Sequence, residues 1–520
     1  MQGIFWGGVI AIAAMFAIFL AIGAWAGRKI HHSPGELLLA GRGMPLWIAV
    51  LTTTATWVDG GYLLGTVEKT QSGLAAGLQG GLCFGLSLIL GGLVFAGPMR
   101  RHEFTTLVDP FESRFGRPWA AVLFLPAMLG ELFWSAELLV AIGATCGAVL
   151  NIDLKTAIIA SALVVTIYTV IGGMWSVAYT DVFQIALVPI GMLAALPFAL
   201  SSVGGLSAAW ETFVNQMGAR AALLVPVTQH DAWPLADRVA WWELAVMLVL
   251  GGIPWNCYFQ RVLSCRTVSQ ARWHSVMAGV LTMALTIPPL LLGIVAYSYQ
   301  GWSEADRGLL AEQPSMVLPM LLREAAPPAV AMLGLGAIVG AVTSSFSASI
   351  LSAGSMFSWN VVHRLRGARD STSYLRRVIR ASIIVLGVTA TIMALDVQSV
   401  AELWFFTADL VFVLLFPQLL WALFDPRANL TGSVTAFAVS LVLRLGSGIS
   451  LFGLPAFIPY AELWCRASGQ NPAEWQDLAT GESVFPARFL AAVAGLVLLP
   501  VVSRLTSAWD PPRVLGRVET

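Results

Sequence analysis

The stretch Leu51-Thr52-Thr53-Thr54-Ala55-Thr56-Trp57-Val58-Asp59-Gly60-Gly61-Tyr62-Leu63-Leu64-Gly65 begins as a helix and is interrupted in its middle. Each glycine inside a helix costs about 1 kcal/mol relative to alanine. A second stretch, Leu250-Gly251-Gly252-Ile253-Pro254-Trp255-Asn256, is broken by a glycine pair and a proline. Proline has no N–H to donate and clashes with the turn before it. Both breaks sit inside apolar runs. In lipid, freed backbone groups are tolerated only where protein or a water-filled cavity meets them. A matched pair of interrupted apolar helices therefore points to the midplane site of a secondary transporter. The plainer reading of either break alone is close helix packing through small residues.

Working outward, the chain of 520 residues is 57% hydrophobic and 11% charged, with 29 Lys+Arg against 29 Asp+Glu. Soluble domains carry about a quarter of their residues charged. The mean hydropathy of +0.78 agrees. These values exclude a soluble enzyme with a wet surface and the disordered, fibrous and disulfide-rich classes. Zero net charge gives no nucleic-acid partner. Five cysteines show no CxxC spacing, and six histidines show no metal-ligand spacing with cysteine or carboxylate.

Apolar stretches lie at 4–27, 44–66, 73–97, 119–149, 154–173, 182–203, 237–259, 272–298, 328–358, 378–396, 400–424, 430–452 and 487–507, which predicts thirteen transmembrane helices in an all-α polytopic membrane protein. The first stretch lacks a charged leader region and a small-residue cleavage site, so it reads as a true span. With the N-terminus outside and the C-terminus inside, most basic residues fall on the inner face, among them Arg28, Lys29, Arg100, Arg101, Arg261, Arg364 and Arg504. Arg444 is the one basic residue that this reading leaves inside a span. The two broken spans are five spans apart and run in opposite directions. Residues 44–203 and 237–424 then form two five-helix units of opposite topology, with 4–27 and 430–507 peripheral. No sequence identity between the halves is visible.

The residues around the breaks are aromatic. Trp57 and Tyr62 flank the first, Trp255 follows the second, and Trp134 and Trp404 sit within other spans. Interfacial belts account for most tryptophans of a membrane protein, but Trp57, Trp134 and Trp255 lie toward mid-span. An aromatic box attracts a cation that has no proton to donate, such as a quaternary ammonium. Aromatic core packing is the bland alternative. Acids inside spans need a reason: Asp59, Glu131, Glu137, Asp181, Glu243 and Asp409 qualify. A carboxylate here faces a coupling cation, the substrate, an arginine or backbone donors. Glu137 and Glu243 read as interfacial, Asp59 as functional, and Asp181 as opening the sixth span. The run Ala341-Val342-Thr343-Ser344-Ser345-Phe346-Ser347-Ala348-Ser349 offers hydroxyls that, with freed carbonyls, suit a hard cation such as sodium, or simply pack a helix.

The segments Thr54–Val58, Ser87–Gly92, Pro98–Arg100, Asp109–Phe111, Ser176–Asp181, Gly251–Trp255, Tyr258–Ser264, Ser349–Ala353 and Phe416–Leu420 carry a resemblance to the sodium:solute symporter family over roughly 5–505. The resemblance implies a LeuT-type fold of 5+5 inverted repeats and sodium-coupled uptake of choline by alternating access, with chloride involved. It implies that Trp57, Trp134, Trp255 and Trp404 cage the ammonium, with Phe84 in place of a family tyrosine. It implies sodium ligands at Ala49, Thr52, Ala341, Ser344 and Ser345; Asp59, which serves the coupling ion or sits by the substrate cation, and Asp181 and Ser347 are further candidates on the reading of the residues themselves. Two positions depart from the pattern. Asp59 stands where a glycine is expected, and Ser347 where an aspartate is expected, so a carboxylate has been lost on one helix and gained at the first break.

Betaine and carnitine are near alternatives, because an aromatic cage does not separate methylated amines. A carboxylated substrate would want a cation at the breaks, and this reading supplies none there. A membrane-embedded sensor on a transporter fold would need a signalling domain, and the residues after Leu505 are few. An embedded enzyme would need a nucleophile–base pair or metal site, and neither is visible. Short loops without a disulfide framework suggest a bacterial inner membrane.

Overall fold

The computed structural model describes residues 6–28, 34–150, 152–222, 224–227, 233–364, 372–396, 406–449, 453–469, 471, 475 and 484–516. Among them there are helices and two isolated bridges, Met44–Cys265 and Ile449–Leu454, but no strand. The helices used below are α1 (Trp6–Gly27), α2 (Leu46–Trp57), α3 (Gly60–Thr70), α4 (Leu74–Leu90), α5 (Arg117–Leu150), α6 (Leu154–Ser201), α7 (Leu235–Gly251), α8 (Asn256–Ser264), α9 (Val268–Leu285), α10 (Ile287–Ser298), α11 (Pro328–Met356), α12 (Thr372–Asp396), α13 (Phe416–Phe424), α14 (Leu430–Gly446) and α15 (Ala487–Thr506).

Nine helices among the described residues are long and apolar enough to cross a membrane, and α7 with α8, bent by 40°, makes a tenth. Leu46–Trp57, Lys155–Ile171 and Leu430–Gly446 are shorter apolar helices. Each of the thirteen apolar stretches falls on one of these, and the start of the stretch 400–424 lies outside the described residues. The outer faces carry exposed apolar side chains such as Ile10, Leu93, Leu163, Val385 and Leu505. Lipid is the solvent that such a surface needs.

Two expectations are corrected. The gap between 173 and 182 is not a loop. Helix continues through it, turning only at Gly173 (φ 54°, ψ −150°), a conformation open to glycine. Asp181 therefore sits inside α6 with no exposure. Arg261 is not an inner-loop residue either. It lies on α8 and is fully buried, because the second break is followed by more than two turns of helix that continue into the protein.

At the core is α11. Every residue from Ala337 to Met356 is buried, so this helix is enclosed on all sides. It packs against α5 and α6. Its hydroxyls must then find partners inside the protein. At the edges, α1 packs along α6, and α14 packs against α15.

Candidate substrate and ion sites

The first break runs from Trp57, at the end of α2, through Val58 and the extended Asp59 (φ −98°, ψ −167°) to α3. Asp59 is the N-cap of α3: its Oδ1 accepts from Tyr62 N at 2.7 Å, the contact expected of a carboxylate at a helix start. Its Oδ2 accepts from the indole N–H of Trp134 on α5 at 3.0 Å. Gly60 is required for packing as well as for the break. A Cβ there would lie 2.4 Å from Val342 Cγ2 on α11.

The second break runs from Gly251 to Trp255, whose extended backbone (φ −107°, ψ 133°) precedes α8. No side chain of its own segment caps α8. Glu131 does so from α5, accepting from Cys257 N at 3.2 Å. The same carboxylate accepts from Ser349 Oγ at 3.0 Å and Ser352 Oγ at 2.5 Å on α11. The Trp255 indole donates to Gly251 O at 2.8 Å.

A cavity of about 480 Å³, its open mouth included, lies where the breaks meet. Trp57, Phe84, Trp134 and Trp255 line it together with Asp59 and Thr56, and Thr407 and Ala408 close one side. Trp134 and Trp255 meet edge to face at 5.5 Å, and Trp57 meets Tyr258 at 5.8 Å. Both Trp134 and Trp255 spend their N–H on the breaks, which holds the rings in place. Asp59 is the one charged residue in this lining among the described residues. Tyr62 is not in it. Its hydroxyl is 2.5 Å from Thr282 O and from Thr286 Oγ1 on or beside α9. Trp404 lies outside the described residues.

A second cluster gathers oxygen atoms between α2, α6 and α11. Ser344 Oγ donates to Asp181 Oδ1 at 2.7 Å, and Thr52 Oγ1 donates to Asp181 Oδ2. Ser345 Oγ reaches Thr56 O at 3.0 Å and Ala55 O at 3.3 Å, carbonyls of the last turn of α2. Ala341 O accepts from Ser345 Oγ at 3.4 Å, Ser347 Oγ donates to Ser344 O at 2.8 Å, and Ala49 is buried on α2. Arg261 enters from α8: its Nη2 is 3.2 Å from Asp181 Oδ2, its Nε donates to Thr52 Oγ1 at 3.2 Å, and its Nη1 to Cys257 O at 2.9 Å. So Asp181, not Asp59, is the carboxylate in contact with the hydroxyls of Thr52 and Ser344. Arg261 does not line the Trp cavity.

Sequence reasoning missed Arg261 and gave Glu131 no role. The helical offset of four between Cys257 and Arg261 within Tyr258–Ser264 and its preceding turn was the available signal. The other candidate acids divide. Glu243 accepts from Arg488 N at 2.9 Å, and Asp409 pairs with Arg444, the basic residue left inside a span. Glu137, read as interfacial, has no exposure.

A helical fold in which two broken helices meet at a buried cavity defines a secondary transporter of the LeuT type. A solved Na+-coupled sialic acid symporter in a substrate-bound outward-open state shares the fold, with a TM-score of 0.75 at 18% identity over 98% of this chain and 99% of that one. The chain belongs to the sodium:solute symporter family, whose profile matches residues 37–440. It is 39% identical to "High-affinity choline transporter 1" of Drosophila melanogaster over 95% of this chain and 78% of that protein. To "High affinity choline transporter 1" of Homo sapiens it is 36% identical over 87% and 79%.

Proposed function

We propose that the protein takes up choline, coupled to sodium, by alternating access across the membrane. The observation that carries this reading is the Trp cavity, whose aromatic walls hold a single charge, the Asp59 carboxylate. Such a site suits a monocation with methyl groups. Each desolvated cation–π contact contributes about 2 kcal/mol. The names of the fly and human relatives support choline. Betaine or carnitine would bring a carboxylate beside Asp59 with no cation in the lining to receive it, since Arg261 is held by Asp181. The Ser344–Ser345–Thr52–Asp181 cluster, one turn from the first break, is the sodium site of this reading, and Ala49, Ala341 and Ser347 border it. Chloride enters on the family resemblance.

Orientation follows from the basic residues, with the N-terminus outside. The repeats span 44–203 and 237–424. Short loops and the absence of a disulfide among the described residues support a bacterial inner membrane.

Labelled choline uptake into proteoliposomes tests this. An inward sodium gradient drives accumulation, an equal potassium gradient does not, and betaine competes poorly. Equal competition by betaine would move the assignment to methylated amines in general.

A further inference from the structure

A second cavity, of about 740 Å³, adjoins the first, and Phe84 and Leu248 line both. Its walls come from α3, α4, α5 and α7, with Tyr62, Leu244 and Gln79 prominent. Glu137 on α5 lies three residues beyond Trp134. That offset puts the two on one helix face, so Trp134 lines one cavity and Glu137 the other. Glu137 has no exposure, and neither of its carboxylate oxygens has a hydrogen-bond partner. The other buried acids differ. Asp59, Glu131, Asp181 and Glu243 each accept from two or more donors, and Asp409 is tied to Arg444. Glu68 and Lys69, at the far end of α3, also line this space.

An ionised carboxylate buried without a partner is strongly disfavoured: it either holds a proton or meets a cation. The walls say which kind. A hard metal cation wants about six oxygens at close range. Here Glu137 faces a wide space walled by Tyr62, Phe84, Leu244 and Leu248, and Glu68 and Lys69, adjacent charges of opposite sign, line it at the far end of α3. Aromatic and aliphatic walls with a formal excess of one negative charge (Glu137 and Glu68 against Lys69) fit a methylated ammonium, whose charge is spread over a greasy surface.

We propose that Glu137 forms a second station for the quaternary ammonium substrate, beside the Trp cavity and separated from it by Phe84 and Leu248. This rests on the reading of the substrate as a quaternary ammonium. Glu137 holds the cation by charge, without an aromatic cage. The Trp cavity then holds it chiefly by ring faces. With α3 running outward, the station lies on the outer path, and substrate passes it on the way to the breaks.

Equilibrium binding of labelled choline to the purified full-length protein at saturating sodium counts the stations. Two classes of site are expected. Glu137→Gln weakens one class at least tenfold and leaves the other. Trp255→Ala does the converse. Leu244→Trp, which fills the second cavity and does not touch the first, also removes the Glu137 class, and it decides the matter if Glu137→Gln does not fold. A single class in the wild type, or two classes that both survive Glu137→Gln or Leu244→Trp, overturns the second station. Absence of saturable choline binding in every form overturns the underlying functional reading instead.

Discussion

The two breaks solve one physical problem by different routes. Each creates a new helix start whose first N–H groups lack partners, and each meets it with a carboxylate. At the first break the acid is local: Asp59 caps the helix that follows it and holds the Trp134 indole with its other oxygen. At the second it comes from 126 residues away, where Glu131 of α5 receives Cys257 N as well as two serines of α11. The first break therefore depends on one residue of its own segment. The second depends on three helices staying together. This is a reason for the first break to set the shape of the cavity and for the second to report on the packing of the core.

Removing the acids breaks the comparison most directly. Glu131→Ala strands two buried donors, the Cys257 N–H and the Ser352 hydroxyl, and each costs roughly 1–3 kcal/mol, while Ser349 keeps the residue-131 carbonyl. Asp59→Ala strands the Tyr62 N–H, worth about 1 kcal/mol as a lost cap, and the Trp134 indole. Thermal melting in detergent should show the larger loss for Glu131→Ala. A larger loss for Asp59→Ala would reverse the assignment of roles. Next in size, Trp255→Ala removes one ring face and should weaken choline binding about 30-fold, the equivalent of about 2 kcal/mol. Stability should fall less than with Glu131→Ala, because the indole bonds only its own Gly251.

Asp59→Asn sharpens the contrast. The amide oxygen still caps α3, but a single oxygen cannot serve both Tyr62 N and Trp134. Choline affinity should fall with the sodium dependence of transport unchanged, since Asp59 does not touch the Thr52–Asp181–Ser344 cluster. A change in sodium dependence alone would assign Asp59 to the ion. The smallest effect belongs to Ser345→Ala. Losing one hydroxyl contact to the carbonyls of α2, about 1 kcal/mol, should raise the sodium half-saturation about fivefold. An equal shift in choline affinity at saturating sodium would show that the cluster belongs to the substrate.

Much of this architecture was legible residue by residue. Glycine pairs and a proline inside apolar runs announced both breaks, because the cost of breaking a helix is local. An aspartate directly before Gly60 is likewise a local capping signal. Long-range compensation is not written locally. Arg261 reads as an inner-loop cation because it follows the apolar stretch 237–259, and only the structure shows Asp181, 80 positions away, taking up that charge. The same blindness applied to Glu131. Tyr62 was grouped with the tryptophans by its place beside the break, yet its side chain turns to Thr282 and Thr286. A helix start fixes a residue's position, not the cavity that its ring enters.

Equilibrium binding of choline to the purified protein, measured with sodium and with potassium in its place, tests the central claim most directly. If the Trp cavity and the Ser344–Asp181 cluster are coupled through the first break, sodium tightens choline binding, and choline tightens sodium binding by the same factor. Choline affinity that is identical in the two salts would contradict the account.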